Sequence, residues 1–137
     1  RGYVKDRYTT LRETSDRVLA TEVNARWHLV AGGDGMSADD FDTSYTRTRR
    51  HLLDAFAQTY SLSLQQTLYA MGHHVLENHP ETDEIRLSMP NKHHFLVDLE
   101  PFGQKNDNEV YFAADRPYGL IEGTVHREGV TPVIPVD

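Results

Sequence analysis

Residues 85–99, IRLSMPNKHHFLVDL, constrain the fold more than any other stretch. Ile85, Leu87, Met89, Phe95, Val97 and Leu99 alternate with polar residues on either side of an interruption, Pro90-Asn91-Lys92-His93-His94. Period-two apolarity predicts a strand with one buried face. Pro90 cannot donate a ladder hydrogen bond, so it belongs at an edge or a bulge. Bulges re-aim side chains and are common beside active sites. Asn91 and His93 are two residues apart, so if the strand persists they project from one face. A carboxamide and an imidazole side by side on a rigid strand form a preorganised polar pair. This pair is the expected centre of the chemistry.

The flanking chain supplies the rest of a sheet and its cover. Over residues 18–29, Leu19, Val23, Ala25, Trp27 and Leu29 share one parity, and Glu22, Asn24, Arg26 and His28 the other. This pattern predicts a half-buried strand, long by the usual standard. With no hairpin partner directly before it, its edge calls for cover by another segment or chain. AGGDGMSA, residues 31–38, reads as a plain glycine-rich turn, since neither Walker nor dinucleotide spacing is present. Ser37 with Asp40 is a helix-start signal. Phe41, Tyr45, Thr48, Leu52 and Phe56 then fall on one helical stripe to about Tyr60. Leu64, Leu68, Met71, Val75 and Leu76 predict a second helix that Pro80 stops. After the central stretch come a loop at 103–108 and strand character at 109–127, divided by a turn at 115–119. The order strand, helix, helix, strand, strand predicts an α+β fold with both helices on one face of an antiparallel sheet.

At 137 residues the prior is one domain with a modest core. A net charge of −7 argues against nucleic acid as partner, because phosphate binding needs clustered cations. The absence of cysteine excludes disulfides and thiolate sites and permits a reducing compartment. No run of about 18 apolar residues points to a membrane. Arg1 in place of methionine, followed by Gly2-Tyr3-Val4 that reads as mid-strand or turn, points to a piece of a longer polypeptide. The tail from Glu128 is expected to be loose.

Eight histidines include the adjacent pairs His73-His74 and His93-His94. Neighbouring residues on a helix or strand point apart, and no HExxH occurs, so no metal site is expected. His93 has two readings: a proton shuttle beside Asn91, or a strand histidine satisfied by a backbone carbonyl. Arg17 offers a planar fork of donors suited to a flat anion. Gln65, in the first turn of the second helix, offers one donor and one acceptor edge near free backbone N–H groups. Taken one at a time, each reads as a surface residue or a cap before it reads as a ligand contact, and spacing alone does not bring them together.

Four ordered motifs identify the chain further. MPNKHHFLVDL, with TTLRETSDRVLATEV, SLQQTLYAMG and NEVYFAADRPYGLIE, closely resembles the bacterial urate oxidases (uricases) from Gly2 to about Arg127. The match is to the C-terminal half of that family, which is built from tandem T-fold domains whose tetramers enclose a sheet-lined tunnel. The resemblance implies a C-terminal T-fold at 1–127 lacking its first strand, followed by the tail at 128–137. It implies that Arg17 grips the urate anion and Gln65 pairs with the opposite purine edge. Leu11 and Leu64 would line the substrate plane, Asn91 would hold dioxygen or water above it, and His93 would join the proton relay. A stacking phenylalanine upstream, and a lysine and threonine from the N-terminal half, would complete the site. The implied reaction oxidises urate with dioxygen to 5-hydroxyisourate and hydrogen peroxide without metal or organic cofactor. A homotetramer in a bacterial cytoplasm is the implied setting. The alternative is a non-catalytic T-fold, or another purine- or pterin-handling one, kept for ligand binding or assembly.

Overall fold

Ser37 starts the first helix by the reciprocal device its sequence predicts. The Ser37 side chain accepts from the Asp40 amide, and the Asp40 carboxylate accepts from the Ser37 amide at 2.8 Å. The bond from the Ser37 amide, and then one from the Ser37 hydroxyl at 2.8 Å, hold the Asp40 carboxyl below its ordinary range. They come from a computed structural model that describes residues 4–10, 13–14, 17–30 and 36–136. Its elements are β1 (Asn24–Leu29), α1 (Ala38–Gln58), α2 (Leu64–Asn78), β2 (Thr82–Pro90), β3 (His93–Leu96), β4 (Tyr111–Ala114) and β5 (Leu120–His126). They form an α+β chain with a three-stranded sheet in the order β1-β2-β5 and a two-stranded sheet β3-β4.

The chain divides into two compact units, Val23–Met89 with Ile121–Asp137, and Arg1–Glu22 with Pro90–Leu120. In the first, β1 and β2 pair antiparallel, Asn24 opposite Ser88 and Trp27 opposite Ile85. On the other edge of β2, the Arg127 amide donates to the Asp83 carbonyl at 2.9 Å, and Arg86 reaches Thr124 of β5. Residue numbers rise on one strand as they fall on the other, so this pairing too is antiparallel. Ile85, Leu87 and Met89 are fully buried, as the alternation predicts, together with Leu64, Leu68, Met71, Val75 and Leu76 of α2.

Helix α2 lies unusually close to this sheet. A Cβ at Gly72 would stand 2.6 Å from Val125 Cγ2 and 3.3 Å from Ile85 Cγ2, and one at Gly123 would stand 3.0 Å from Leu68 Cδ2. Two missing side chains, one on the helix and one on β5, permit the approach. At the other end of α2, the Arg127 guanidinium donates to the carbonyls of Leu76 (2.6 Å), His79 (3.0 Å) and Thr82 (3.0 Å). A cation there satisfies carbonyls that no helical N–H reaches.

The buried stripe of α1 is Ser44, Thr48, Leu52 and Ala55. The expected stripe shares only Thr48 and Leu52 with it, since Phe41 and Tyr45 are exposed. Small residues face inward and the aromatics flank them, Tyr45 lying 6.0 Å from the Trp27 ring. The buried Glu84 carboxylate accepts from the amides of Val133 (2.7 Å) and Ile134 (3.2 Å), tying part of the tail to β2. A buried carboxylate needs such donors.

Two expected strands are shorter in the structure. The stretch 18–29 keeps regular strand only from Asn24, and the single long strand at 85–99 is two, broken at Asn91-Lys92. Pro90 explains both. Thr21 pairs with Asn91 as an isolated bridge in the register that sets Asn24 opposite Ser88. The missing proline N–H removes a ladder bond at the intervening position, so regular pairing lapses there.

Gly72→Ala should destabilise the chain by about 1–2 kcal/mol, overpacking at Val125 outweighing the gain in helix propensity. Denaturant unfolding measures it, and an unchanged midpoint would mean the helix seats with room to spare.

Candidate active site

In the unit holding Pro90–Leu120, the polar interruption is fixed from both sides. The Asn91 amide donates to the Gly119 carbonyl at 2.8 Å, and the Lys92 amide donates to the Ala20 carbonyl at 3.0 Å. Thr21 Oγ1 donates to the Pro90 carbonyl at 2.8 Å, and Lys92 Nζ lies 3.2 Å from Glu22 Oε2. Segment 20–22 is thus bound directly to segment 90–92. Arg17 stands exposed four residues before the Thr21–Asn91 bridge, on the same segment.

Asn91 and His93 do not sit on one continuous strand, because β2 ends at Pro90 and β3 begins at His93. The expected pairing on one strand face is therefore corrected. His93 lies opposite Ala114 in the β3-β4 ladder, its ring nearly parallel to Phe95 at 6.1 Å. The backbone-bonded histidine of this stretch is its neighbour, since His94 Nδ1 lies 3.1 Å from the Lys92 carbonyl and donates to it.

In the other unit, Leu64 opens α2 and is 2% exposed, while Gln65 follows it on the surface. Capping falls on Gln66, whose amide donates to Ser63 Oγ and whose Oε1 accepts from the Leu62 amide at 3.0 Å. Leu11 lies outside the described residues.

A cluster of imidazoles lies apart from the sequence-derived candidates. His51 of α1 lies with its ring centre 5.0 Å from those of His74 and His79, and its Nδ1 is 3.2 Å from His74 Nε2. One of these rings donates and the other accepts, so the pair holds one proton between them. His79 is fully buried; Nδ1 meets Glu81 Oε1 at 3.1 Å, and Nε2 has no hydrogen-bond partner among the described residues. Arg47 closes the group, 3.9 Å from Glu81. The signal was present in the spacing. His51 adjoins buried Leu52 on α1, and His74 lies three residues past Met71, but each reads as an amphipathic-face residue until the helices are packed. His73 forms an ordinary surface pair with Glu77 at 3.3 Å. Among the described residues, no group of three or more His, Cys, Asp or Glu is placed to hold a metal ion.

Burial first, then the neighbouring His79, His74 and Arg47, hold the His51 imidazole below its ordinary 6.5, with Asp54 opposing them. Burial pushes the Glu81 carboxyl up. Its own backbone amide, the His79 hydrogen bond and the charges of His79 and Arg47 outweigh that and hold it down.

The chain is thus an α+β protein of antiparallel strands and two consecutive helices, with polar candidates grouped at the Pro90 interruption. The uricase family model matches residues 1–122. Uricase of Arthrobacter globiformis is 61% identical over 128 residues, covering 93% of this chain and 41% of that protein. Uricase of Dictyostelium discoideum is 37% identical, covering 92% and 42%. The crystal structure of the Arthrobacter globiformis uricase superposes with a TM-score of 0.83 at 58% identity, over 98% of this chain and 45% of that one. That of Bacillus sp. TB-90 urate oxidase gives 0.68 at 26%, over 93% and 41%. The architecture is that of the T-fold as these proteins carry it. This chain belongs to the uricase family and spans about two-fifths of the length of these relatives.

Because the folded-state value of His51 is depressed, the unfolded chain binds its proton more readily below about pH 6.5. Stability is full above that value and falls as pH drops through it. His51→Gln should therefore flatten the loss of stability between about pH 7.5 and 5.5. Denaturation midpoints across that range decide it; parallel curves for the two proteins would remove His51 from the acid response.

Proposed function

We propose that this chain forms the C-terminal part of a urate oxidase. In that enzyme urate, dioxygen and water give 5-hydroxyisourate and hydrogen peroxide, with no metal or organic cofactor. Urate supplies the electrons; the protein binds a flat anion, takes a proton from it, and holds oxygen and then water over one face. The observation that carries the reading is local: the segment bearing Arg17 is hydrogen-bonded to the segment bearing Asn91, with His93 beginning the next strand. Membership of the uricase family supplies the substrate class.

In this reading Arg17 binds one edge of the urate anion through paired, charge-assisted hydrogen bonds, and Gln65 pairs with the opposite edge. Leu11 and Leu64 border the ring plane. Leu64 is buried, and its position at the start of α2 gives it a backbone amide without a helical acceptor. Asn91 holds dioxygen or water and His93 passes protons. The remaining relay groups come from the N-terminal half, and the working form is a homotetramer in a bacterial cytoplasm. Among the described residues no helix is long and apolar enough to cross a membrane.

A chimera carrying this chain in place of the matching stretch of the Arthrobacter globiformis uricase should remove urate absorbance and release peroxide, untouched by metal chelators. Chelator inhibition would refute the cofactor-free mechanism, and silence toward urate in a folded chimera would refute the function. In the active chimera, Arg17→Ala should raise KM roughly ten- to hundredfold, the equivalent of about 1.5–3 kcal/mol for a hydrogen bond to a charged group. An unchanged KM would take Arg17 out of the site.

A further inference from the structure

The Pro90–Asn91 peptide is one rigid plane with a carbonyl at one end and an N–H at the other. Both ends are engaged. The carbonyl accepts from Thr21 Oγ1 at 2.8 Å, and the N–H donates to the Gly119 carbonyl at 2.8 Å. On its far side Asn91 meets a second held plane, because the Lys92 N–H donates to the Ala20 carbonyl at 3.0 Å. A residue between two fixed peptide planes has little freedom in φ and ψ, and its Cα–Cβ direction is set accordingly. Two of these three restraints are backbone hydrogen bonds. The Thr21 hydroxyl is a side chain making the same kind of restraint.

We propose that Thr21 is a positioning residue: its hydroxyl fixes the Pro90–Asn91 peptide and so aims the Asn91 carboxamide. Proline makes such a device useful. Pro90 brings no N–H of its own to the sheet, so regular pairing lapses opposite Glu22 and Val23, immediately beside the plane that carries Asn91. The hydroxyl ties the carbonyl of that plane to the neighbouring segment where the regular ladder has lapsed. It also lies 3.0 Å from the Glu22 carbonyl, but its single hydrogen has the shorter path to Pro90. Serine carries the same donor; valine keeps the shape and loses it.

For catalysis this inference rests on the urate-oxidising reading, in which Asn91 acts over the bound ring and Arg17 binds it. A tilted carboxamide then slows the chemical step without weakening urate binding. In the full-length polypeptide carrying this sequence, Thr21→Val should lower kcat roughly tenfold with KM within about twofold, and Thr21→Ser should restore it. The Asn91 backbone and carboxamide NMR signals should move in Thr21→Val and return in Thr21→Ser. If Thr21→Val does not fold, Thr21→Ala makes the same comparison. Unmoved Asn91 signals, or a kcat equal to that of the unmodified protein, would overturn the proposal, as would a rise in KM alone. If the unmodified protein leaves urate untouched, the functional reading falls by itself, and the Asn91 signals alone then decide whether Thr21 holds that peptide.

Discussion

Strand β2 is hydrogen-bonded along both edges and buries Ile85, Leu87 and Met89, Ile85 lying against α2 at Gly72, and the structure depends on that seating. The helix can come so close only because Gly72 and Gly123 present no side chain where Val125 and Leu68 lie. Burial of these apolar groups, at about 25 cal/mol per Å², outweighs the cost of ordering the central strand. The polar requirements are met around it. Arg127 closes the carbonyl end of α2, and Glu84 finds amide donors in the tail. The fully buried Glu84 carboxylate would not be tolerable without those donors.

The interruption at Pro90 follows from the same strand. A central strand needs donors on both edges, and proline withholds one. The sheet responds by dropping regular pairing for two positions and recovering it at Thr21–Asn91 in unchanged register. Around that gap the backbone is held by hydrogen bonds from separate segments rather than by a continuous ladder. Such an irregular yet fully bonded stretch can present side chains that a regular strand would turn into the core or the solvent.

The imidazole cluster shows a different use of packing. His51, His74 and His79 come from two helices and the turn after the second, and each is unremarkable in its own segment. Packed together, His51 and His74 meet through one hydrogen bond, His79 lies edge-on to His51, and burial opposes the charging of His51. Arg47 and Glu81 supply the flanking charges.

The sequence by itself determined the capping box at Ser37, the core face of α2 and the alternation that buries Ile85, Leu87 and Met89. These are local: periodicity and caps act within a turn or a strand. It also carried the motifs that mark the family, along with Arg17, Gln65, Leu64, Asn91 and His93 as candidates. Only tertiary structure decided that Ser44 and Ala55, rather than Phe41 and Tyr45, face inward on α1. Only tertiary structure joined Thr21 to Pro90 and His51 to His74, residues far apart in the chain. Such contacts depend on which surfaces meet, and one-dimensional spacing holds no record of that.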